Sequence, residues 1–357
     1  MFPQNRLTAA RWVTVLSWAN FAALWVVIAL IHGVSEGWWL STVVLYLPRI
    51  PWILPAIILL PISFRYNWKN GLVNLASVLL VLGPVMNWQC GGLVAPKVDQ
   101  TALRLTVVSC NVQSFRPDFG QVVSEINRIN PDIILFQEAF EDHPLLKTLL
   151  DGWNVHHEHE FLAASRWPIQ YLDECELGVM ERTTVVRYAV ETPSGRLIVC
   201  NVHQISPRHA LTNLKPWTFI NGAGIDEVTQ DAVMRDVEAM KAREFTQSGG
   251  KTLPTLIAGD FNMPNDSSLF RKHWGDLTDA YATTAIGYGY TSPCHTRGWP
   301  NNFPWAQVDH ILTTPNIPVE SCTIGHSGGS DHRLITAQFR LPKQIFSGSE
   351  TRTAPAE

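Results

Sequence analysis

The sequence has no CxxC pair, no HxxxH spacing and no surplus of basic residues, and each absence excludes a class of protein. Without paired cysteines or an HxxxH spacing there is no zinc cage or zincin-type site to read. The six cysteines, Cys90, Cys110, Cys175, Cys200, Cys294 and Cys322, are scattered. Cys110 and Cys200 each end an apolar run just before an asparagine and read as small core residues. A Cys294–Cys322 disulfide stays open for a chain outside the cytoplasm. Acid is nearly missing from the first 100 residues, which hold only Glu36 and Asp99 beside six basic residues. From residue 101 onward the balance reverses, with 21 basic and 29 acidic side chains. A protein that grips a nucleic-acid backbone without sequence preference carries a basic footprint, and this composition lacks one.

What the first 90 residues do have is long apolar runs. Trp12 to Ile31 carries no charge and is long enough to cross a bilayer. A cleaved signal peptide would have a shorter core, about 7–15 residues, and a small-residue cleavage site. More apolar segments follow instead, at about 50–64 and 72–88, so the reading is an anchor of three spans. Trp52, Trp68 and Trp88 flank the last two, as interfacial tryptophans do. Arg6 and Arg11 precede the first span, and Arg65 and Lys69 lie between the second and third. By the positive-inside rule the N-terminus and the loop around Trp68 are cytoplasmic. Three spans then put everything after Trp88 on the periplasmic or extracellular side. The expected organisation is a membrane region over 1–90, a linker over 91–102, a catalytic domain over 103–342 and a disordered tail over 343–357.

From Leu103 the pattern changes to short apolar runs that end in polar residues of catalytic type. LRLTVVSCNVQ ends at Asn111, and PDIILFQEAF at Gln137 and Glu138. GRLIVCNVHQ ends at Asn201 and His203, and LPTLIAGDFNMP at Asp260 and Asn262. QVDHILTT carries Asp309 and His310. GGSDHRLITAQFRL opens with Ser330, Asp331 and His332. Sites often lie at such strand ends. Helical spacing is readable over Gln121–Ile129 and, less regularly, over Asp231–Phe245. A lone asparagine at a strand end is usually a turn residue. Nothing about folding, however, requires so many Asn, Glu, Asp and His residues at one strand terminus after another.

The ordered set NVQ, QE, SRWPI, NVH, GDFN, DHI and SDH resembles the endonuclease/exonuclease/phosphatase superfamily from about Leu103 to Leu341. GDFN and SDH are specific in combination. The resemblance implies an α/β (α+β) four-layer sandwich of two mixed β-sheets flanked by helices, with the site at one end. It implies Mg²⁺ or Mn²⁺ bound by Glu138, with Asn111 and Asp331 nearby. It also implies that Asp260 orients or deprotonates the attacking water and Asn262 holds that water or the phosphate. His332, oriented by Asp309, touches the phosphate, and His203 is a second phosphate-facing histidine. Asn201 and Arg166 stand as substrate-binding candidates, Arg166 with a salt-bridge role as its alternative. Hard oxygen donors suit Mg²⁺, which often takes one or two carboxylates from the protein. Two departures stand out. Gln113 occupies a position that is acidic in some members, and the glutamate that should pair with His203 is undecided between Glu176 and Glu181.

The leading expectation is a membrane-anchored, divalent-metal-dependent phosphoesterase acting near lipid headgroups, on a lipid or other small phosphoester. An extracytoplasmic nuclease and a catalytically inactive membrane-bound binding module are the alternatives. The intact set of Glu138, Asp260 and His332 argues against the last. The stretch 287–305, rich in Gly, Pro and aromatics, reads as a rim loop that either meets lipid or substrate or simply packs.

Overall fold

A computed structural model of the chain describes residues 3–94, 96–115, 118–178, 182–248, 253–295 and 300–343. Glu181 and residues 344–357 of the expected tail lie outside these.

Four helices come first: α1 (Pro3–Ala29), α2 (Trp39–Tyr46), α3 (Leu54–Tyr66) and α4 (Trp68–Leu80). Two helical stretches are long and apolar enough to cross a membrane, Leu7–Gly37 and Trp68–Val85. A third crossing exists if Trp39–Tyr46 and Ile50–Tyr66, which meet at 89°, act as one broken span. The polar residues inside these helices face one another. The Asn74 amide donates to Ser17 Oγ at 2.8 Å and to Ser63 Oγ at 2.7 Å, and Asn70 donates to Thr14 Oγ1 at 2.7 Å. Such side chains bind helices together where no water competes.

The rest of the chain is a sandwich. Its first sheet contains β1 (Leu103–Asn111), β2 (Ile133–Gln137), β3 (Asn154–Glu158), β4 (Phe161–Ser165), β11 (Val319–Ile324) and β12 (Ile335–Leu341), in the order β11-β12-β1-β2-β4-β3. The second contains β5 (Ile169–Leu177), β6 (Arg182–Thr192), β7 (Gly195–His203), β8 (Thr255–Asp260), β9 (Thr278–Asp279) and β10 (Asp309–Thr313), in the order β5-β6-β7-β8-β10-β9. Each sheet is mixed, with one central parallel pair, β1 with β2 and β7 with β8. A core including Leu105, Ile133, Val199, Leu256, Ile311 and Phe339 fills the space between the sheets. Helices α5 (Phe119–Ile129) and α6 (Pro144–Leu149) cover the outer face of the first sheet. Helices α9 (Ala223–Ser248) and α10 (Ser268–Trp274) cover the second. The two readable helices of the sequence are thus α5 and α9, each longer than its periodic stretch. All six cysteines are free, including Cys294 and Cys322.

The apolar N-terminal helices are joined to the sandwich by packing as well as by chain. Arg49, just before α3, forms a buried ion pair with Asp266 at 2.5 Å, and its guanidinium also donates to the carbonyls of Leu45 and Val85. Tyr46 accepts from Arg235 of α9 and donates to Glu36, whose other oxygen accepts from Ser268. The apolar ends of α1, α2 and the turn after α4 form one cluster, against which Leu211, Tyr288 and Tyr290 of the sandwich pack. The start of the expected linker is part of this junction. Gly92 N–H donates to the Ala285 carbonyl at 2.9 Å, and a Cβ on Gly91 would meet the Ala282 carbonyl oxygen at 2.0 Å.

Removing one member of a buried ion pair leaves the other charge without water or partner, at a cost of about 3–5 kcal/mol. Asp266→Ala should therefore lower the thermal midpoint of the full chain in detergent by several degrees. The apolar pair Arg49→Met/Asp266→Leu should recover most of the loss. An unchanged midpoint in Asp266→Ala would refute the junction's contribution.

Candidate active site

Strand register gathers the polar strand ends into one place. In the second sheet His203 stands beside Asp260, and Asp260 beside Asp309, so three adjacent strands present one row. In the first sheet Asn111 stands beside Gln137, and Glu138 follows at once. The loop before β12 carries Ser330, Asp331 and His332 into the gap, anchored by a 2.7 Å bond from Ser330 Oγ to the Asn111 carbonyl. The GDFN turn has a local explanation. Gly259 has φ +149°, and a Cβ there would lie 1.9 Å from the Val202 carbonyl oxygen, so only glycine lets β8 approach β7. Phe261 turns into the core against Trp274, and Asn262 takes φ +52°, which asparagine tolerates. Glu138 holds φ +53°, a conformation that costs a non-glycine residue about 1–2 kcal/mol and that the surrounding structure must enforce.

The side chains form one hydrogen-bonded set. Asn111 Nδ2 donates to Glu138 Oε1 at 2.9 Å and to Asp260 Oδ2 at 3.2 Å, while its Oδ1 accepts from Gln113 N–H. Asp260 Oδ1 accepts from Asn262 N–H at 2.9 Å. His332 Nδ1 lies 2.8 Å from Asp309 Oδ2, and its Nε2 lies 3.5 Å from Asp260 Oδ2 and 3.2 Å from Ser292 Oγ. His203 Nδ1 lies 3.0 Å from Glu160 Oε1, and its Nε2 lies 3.7 Å from both Glu138 Oε1 and Asp260 Oδ2. Asp331 pairs with Arg208 at 2.7 Å.

Burial and charge act against each other here. Burial alone would lower the basicity of His332, but Asp309 and Asp260 hold its pKa well above the ordinary histidine value. His203 is likewise raised despite burial, chiefly by its hydrogen bond to Glu160 and by Asp260. Burial raises the Asp260 carboxyl, and the His332 charge only partly offsets it. Asp331 is held low despite its burial by His332 and Arg208.

Eight of the ten residues singled out in the sequence meet here: Asn111, Glu138, His203, Asp260, Asn262, Asp309, Asp331 and His332. Asn201 and Arg166 do not. Asn201 is fully buried between the sheets, with Nδ2 bonded to the Phe136 and Leu162 carbonyls and Oδ1 to Gln137. It is a strut with no polar atom left for substrate. Arg166 follows β4 at the opposite end of the sheet, stacked 4.0 Å over Trp153 and bonded to Asn130. Its structural alternative is the one realised. Asn111 turns its NH₂ rather than its oxygen toward the cleft, so it is a donor to carboxylates and not a cation ligand in this arrangement. The partner of His203 is Glu160, in the turn between β3 and β4. Glu176 is exposed on β5.

The oxygens of Glu138 and Asp260 both approach the Asn111 amide and both lie 3.7 Å from His203 Nε2. Two converging carboxylates of this kind suit a hard divalent cation. A second grouping, Asp260, Asp309 and His332, also has ligand atoms within 4.8 Å of one another. There, however, an ion would have to displace the 2.8 Å bond between His332 and Asp309. We therefore favour the Glu138 side.

Two buried histidines and converging carboxylates at the end of a two-sheet sandwich define a hydrolytic site of the phosphoester-cleaving class. The chain matches the endonuclease/exonuclease/phosphatase family over residues 108–332 and belongs to it. No curated protein matches the chain. Among solved structures it is similar to an endonuclease/exonuclease/phosphatase from Beutenbergia cavernae, with 17% identity, a TM-score of 0.45, and 67% of this chain and 72% of that one covered. It is similar to the 3′ phosphatase NExo from Neisseria bound to a product DNA hairpin, with 18% identity, a TM-score of 0.47, and 65% and 98% covered. It is also similar to D. rerio TDP2 complexed with a single-strand DNA product, with 14% identity, a TM-score of 0.47, and 66% and 98% covered.

The His203–Glu160 pair yields a pH prediction. A raised histidine pKa contributes stability that is full below about 6.5 and is lost as pH rises through the raised folded value. The lowered Glu160 pKa contributes stability that is lost only as pH falls through that lowered value. Glu160→Gln should therefore move the alkaline loss of His203 protonation to lower pH, read by histidine NMR titration. An unmoved His203 titration would contradict the pairing.

Proposed function

We propose that the protein is a membrane-anchored, divalent-metal-dependent phosphoesterase whose sandwich faces the periplasm or exterior. The observation that carries the catalytic part is the row His203–Asp260–Asp309 closed by His332. Glu138 and Asp260 would hold Mg²⁺ or Mn²⁺, which would neutralise charge on the phosphoryl oxygens when bound. His332, kept protonated by Asp309, presents Nε2–H to a non-bridging phosphoryl oxygen. Asp260, oriented by the Asn262 N–H, accepts a proton from the attacking water. The water oxygen forms the new P–O bond, and the bond to the leaving oxygen breaks with its electron pair on that oxygen. His203 Nε2–H supplies the proton there, and Asp331 holds Arg208 at the rim. This is positioning and electrostatics, which dominate phosphoryl transfer.

The membrane part of the reading is supported by charge placement. Arg11, Arg65 and Lys69 lie toward one end of the helical bundle, near the Thr14–Asn70 contact. The sandwich packs against the other end. The two charges of the intervening loop, Arg49 and Glu36, are bonded to the sandwich. They therefore leave the positive-inside reading to the other three residues.

The test uses the full chain with bis-p-nitrophenyl phosphate, plasmid DNA and phospholipid vesicles. Chelation should abolish hydrolysis, and Mg²⁺ or Mn²⁺ should restore it. Asp260→Ala and His332→Ala should each lower kcat by about 10²–10⁴-fold. Equal activity in wild type and both variants would refute the site.

A further inference from the structure

A cavity of about 550 Å³ opens beside the catalytic rim, and one of its walls belongs to the membrane region. This volume is in the range of about 300–1,000 Å³ that holds a small-molecule ligand. At its inner end stand Asn262, Ser292 and Arg208. Ser292 touches His332, Asn262 orients Asp260, and Arg208 pairs with Asp331, so this end is the catalytic cleft itself. The far walls are mainly apolar, with Tyr46, Leu47 and Pro48 from the turn after α2, Leu211 from α7 (Arg208–Thr212), and Trp305 with Ala306 from the loop before β10. Among the described residues no carboxylate lines the cavity, and Arg208 is its single Lys or Arg.

The two ends call for two kinds of chemistry in one substrate. The inner end suits an anionic phosphoester, and the outer end suits a hydrocarbon. A nucleic-acid strand would need a track of cations, and here it would meet a wall made by the turn after α2, which Trp305 Nε1 fixes by a 2.9 Å bond to the Tyr46 carbonyl. The surroundings of the wall indicate where the hydrocarbon comes from. Trp38, directly after the bilayer-length stretch Leu7–Gly37, is 43% exposed, and Leu47, at the end of α2, is 48% exposed. Trp39 packs at 5.7 Å on Phe219 of α8 (Pro216–Ile220), a helix that also exposes Trp217 and Ile220. Large apolar and tryptophan side chains at helix ends mark the headgroup level of a bilayer.

We propose that the substrate is a bilayer amphiphile, a phosphoester whose alcohol carries a hydrocarbon chain. The chain lies between Tyr46–Pro48 and Leu211 while the phosphate meets His332 and Arg208. This inference rests on the phosphoesterase reading and adds the substrate class to it. Hydrolysis places the water oxygen on phosphorus and expels the other ester oxygen with its electron pair, leaving the alkyl phosphate.

The test compares p-nitrophenyl methyl phosphate with p-nitrophenyl dodecyl phosphate, using the full chain in nanodiscs. Each buried methylene is worth roughly fourfold in binding, so even partial burial should raise kcat/KM at least about tenfold from methyl to dodecyl. Leu47→Trp and Leu211→Trp, which fill the cavity from opposite walls, should each cut that ratio about fivefold or more. A ratio near one in the wild type overturns the inference, as does a ratio that both variants retain, since bilayer partition alone would then explain it. If the wild type cleaves the methyl ester and shows no chain-length gain, only the substrate class falls. If it cleaves neither ester, the phosphoesterase reading falls with it. Photo-crosslinking of a diazirine-bearing dodecyl phosphate to the wild type gives a readout independent of the variants' folding. Adducts within 46–48 or 207–212 support the cavity, and adducts confined elsewhere overturn it.

Discussion

Asp260 and Asp309 face each other across two adjacent antiparallel strands, both buried. Two carboxylates so placed repel strongly, and burial adds its own penalty. The imidazole of His332 lies between them, 2.8 Å from one and 3.5 Å from the other. Much of the rest of the cleft follows from that arrangement. The loop before β12 must reach back to deliver the histidine, so Ser330 is tied to the end of β1. Asp309 holds the histidine by its Nδ1 and favours its charged form. Asp260 is compensated only in part, so its carboxyl stays above the ordinary carboxylate range.

The apolar N-terminal helices meet this machinery more closely than an anchor would need to. Their buried polar residues bond to each other within the bundle, and their domain-side charges bond to the sandwich instead. Arg49 finds Asp266, and Tyr46 and Glu36 find Arg235 and Ser268. The turn between α2 and α3 thus serves as junction and as cavity wall together.

Legibility in the sequence followed burial and position. β1, β2, β7, β8, β10 and β12 could be read because each is a buried apolar run ending in a polar residue. β5 could not, since its residues are mostly half-buried and its composition is mixed. Glu160 was missed for a related reason. It sits in a short turn between two strands rather than at the end of an apolar run, and only the pairing of β3 with β4 brings it under His203. Asn201 was over-read. It has the residue type of a site residue and shares a face of β7 with His203, but it lies two residues further in, where that face is closed between the sheets, while His203 ends the strand and reaches the cleft. The start of the expected linker looked loose because its glycines suit turns. They are there because α11 (Ala280–Thr284) and Ala285 leave no room for a Cβ.

The junction also decides what can be cut from what. A chain begun after residue 97 would keep every catalytic side chain and still not be this protein. Asp266 and Arg235 would lose partners supplied by the helices, and Leu211, Tyr288 and Tyr290 would face solvent where the cluster of α1, α2 and the turn after α4 now covers them. The cavity beside the cleft would become an open groove. In this molecule the apolar N-terminal helices cover a face of the sandwich and supply one wall of the cavity beside its cleft.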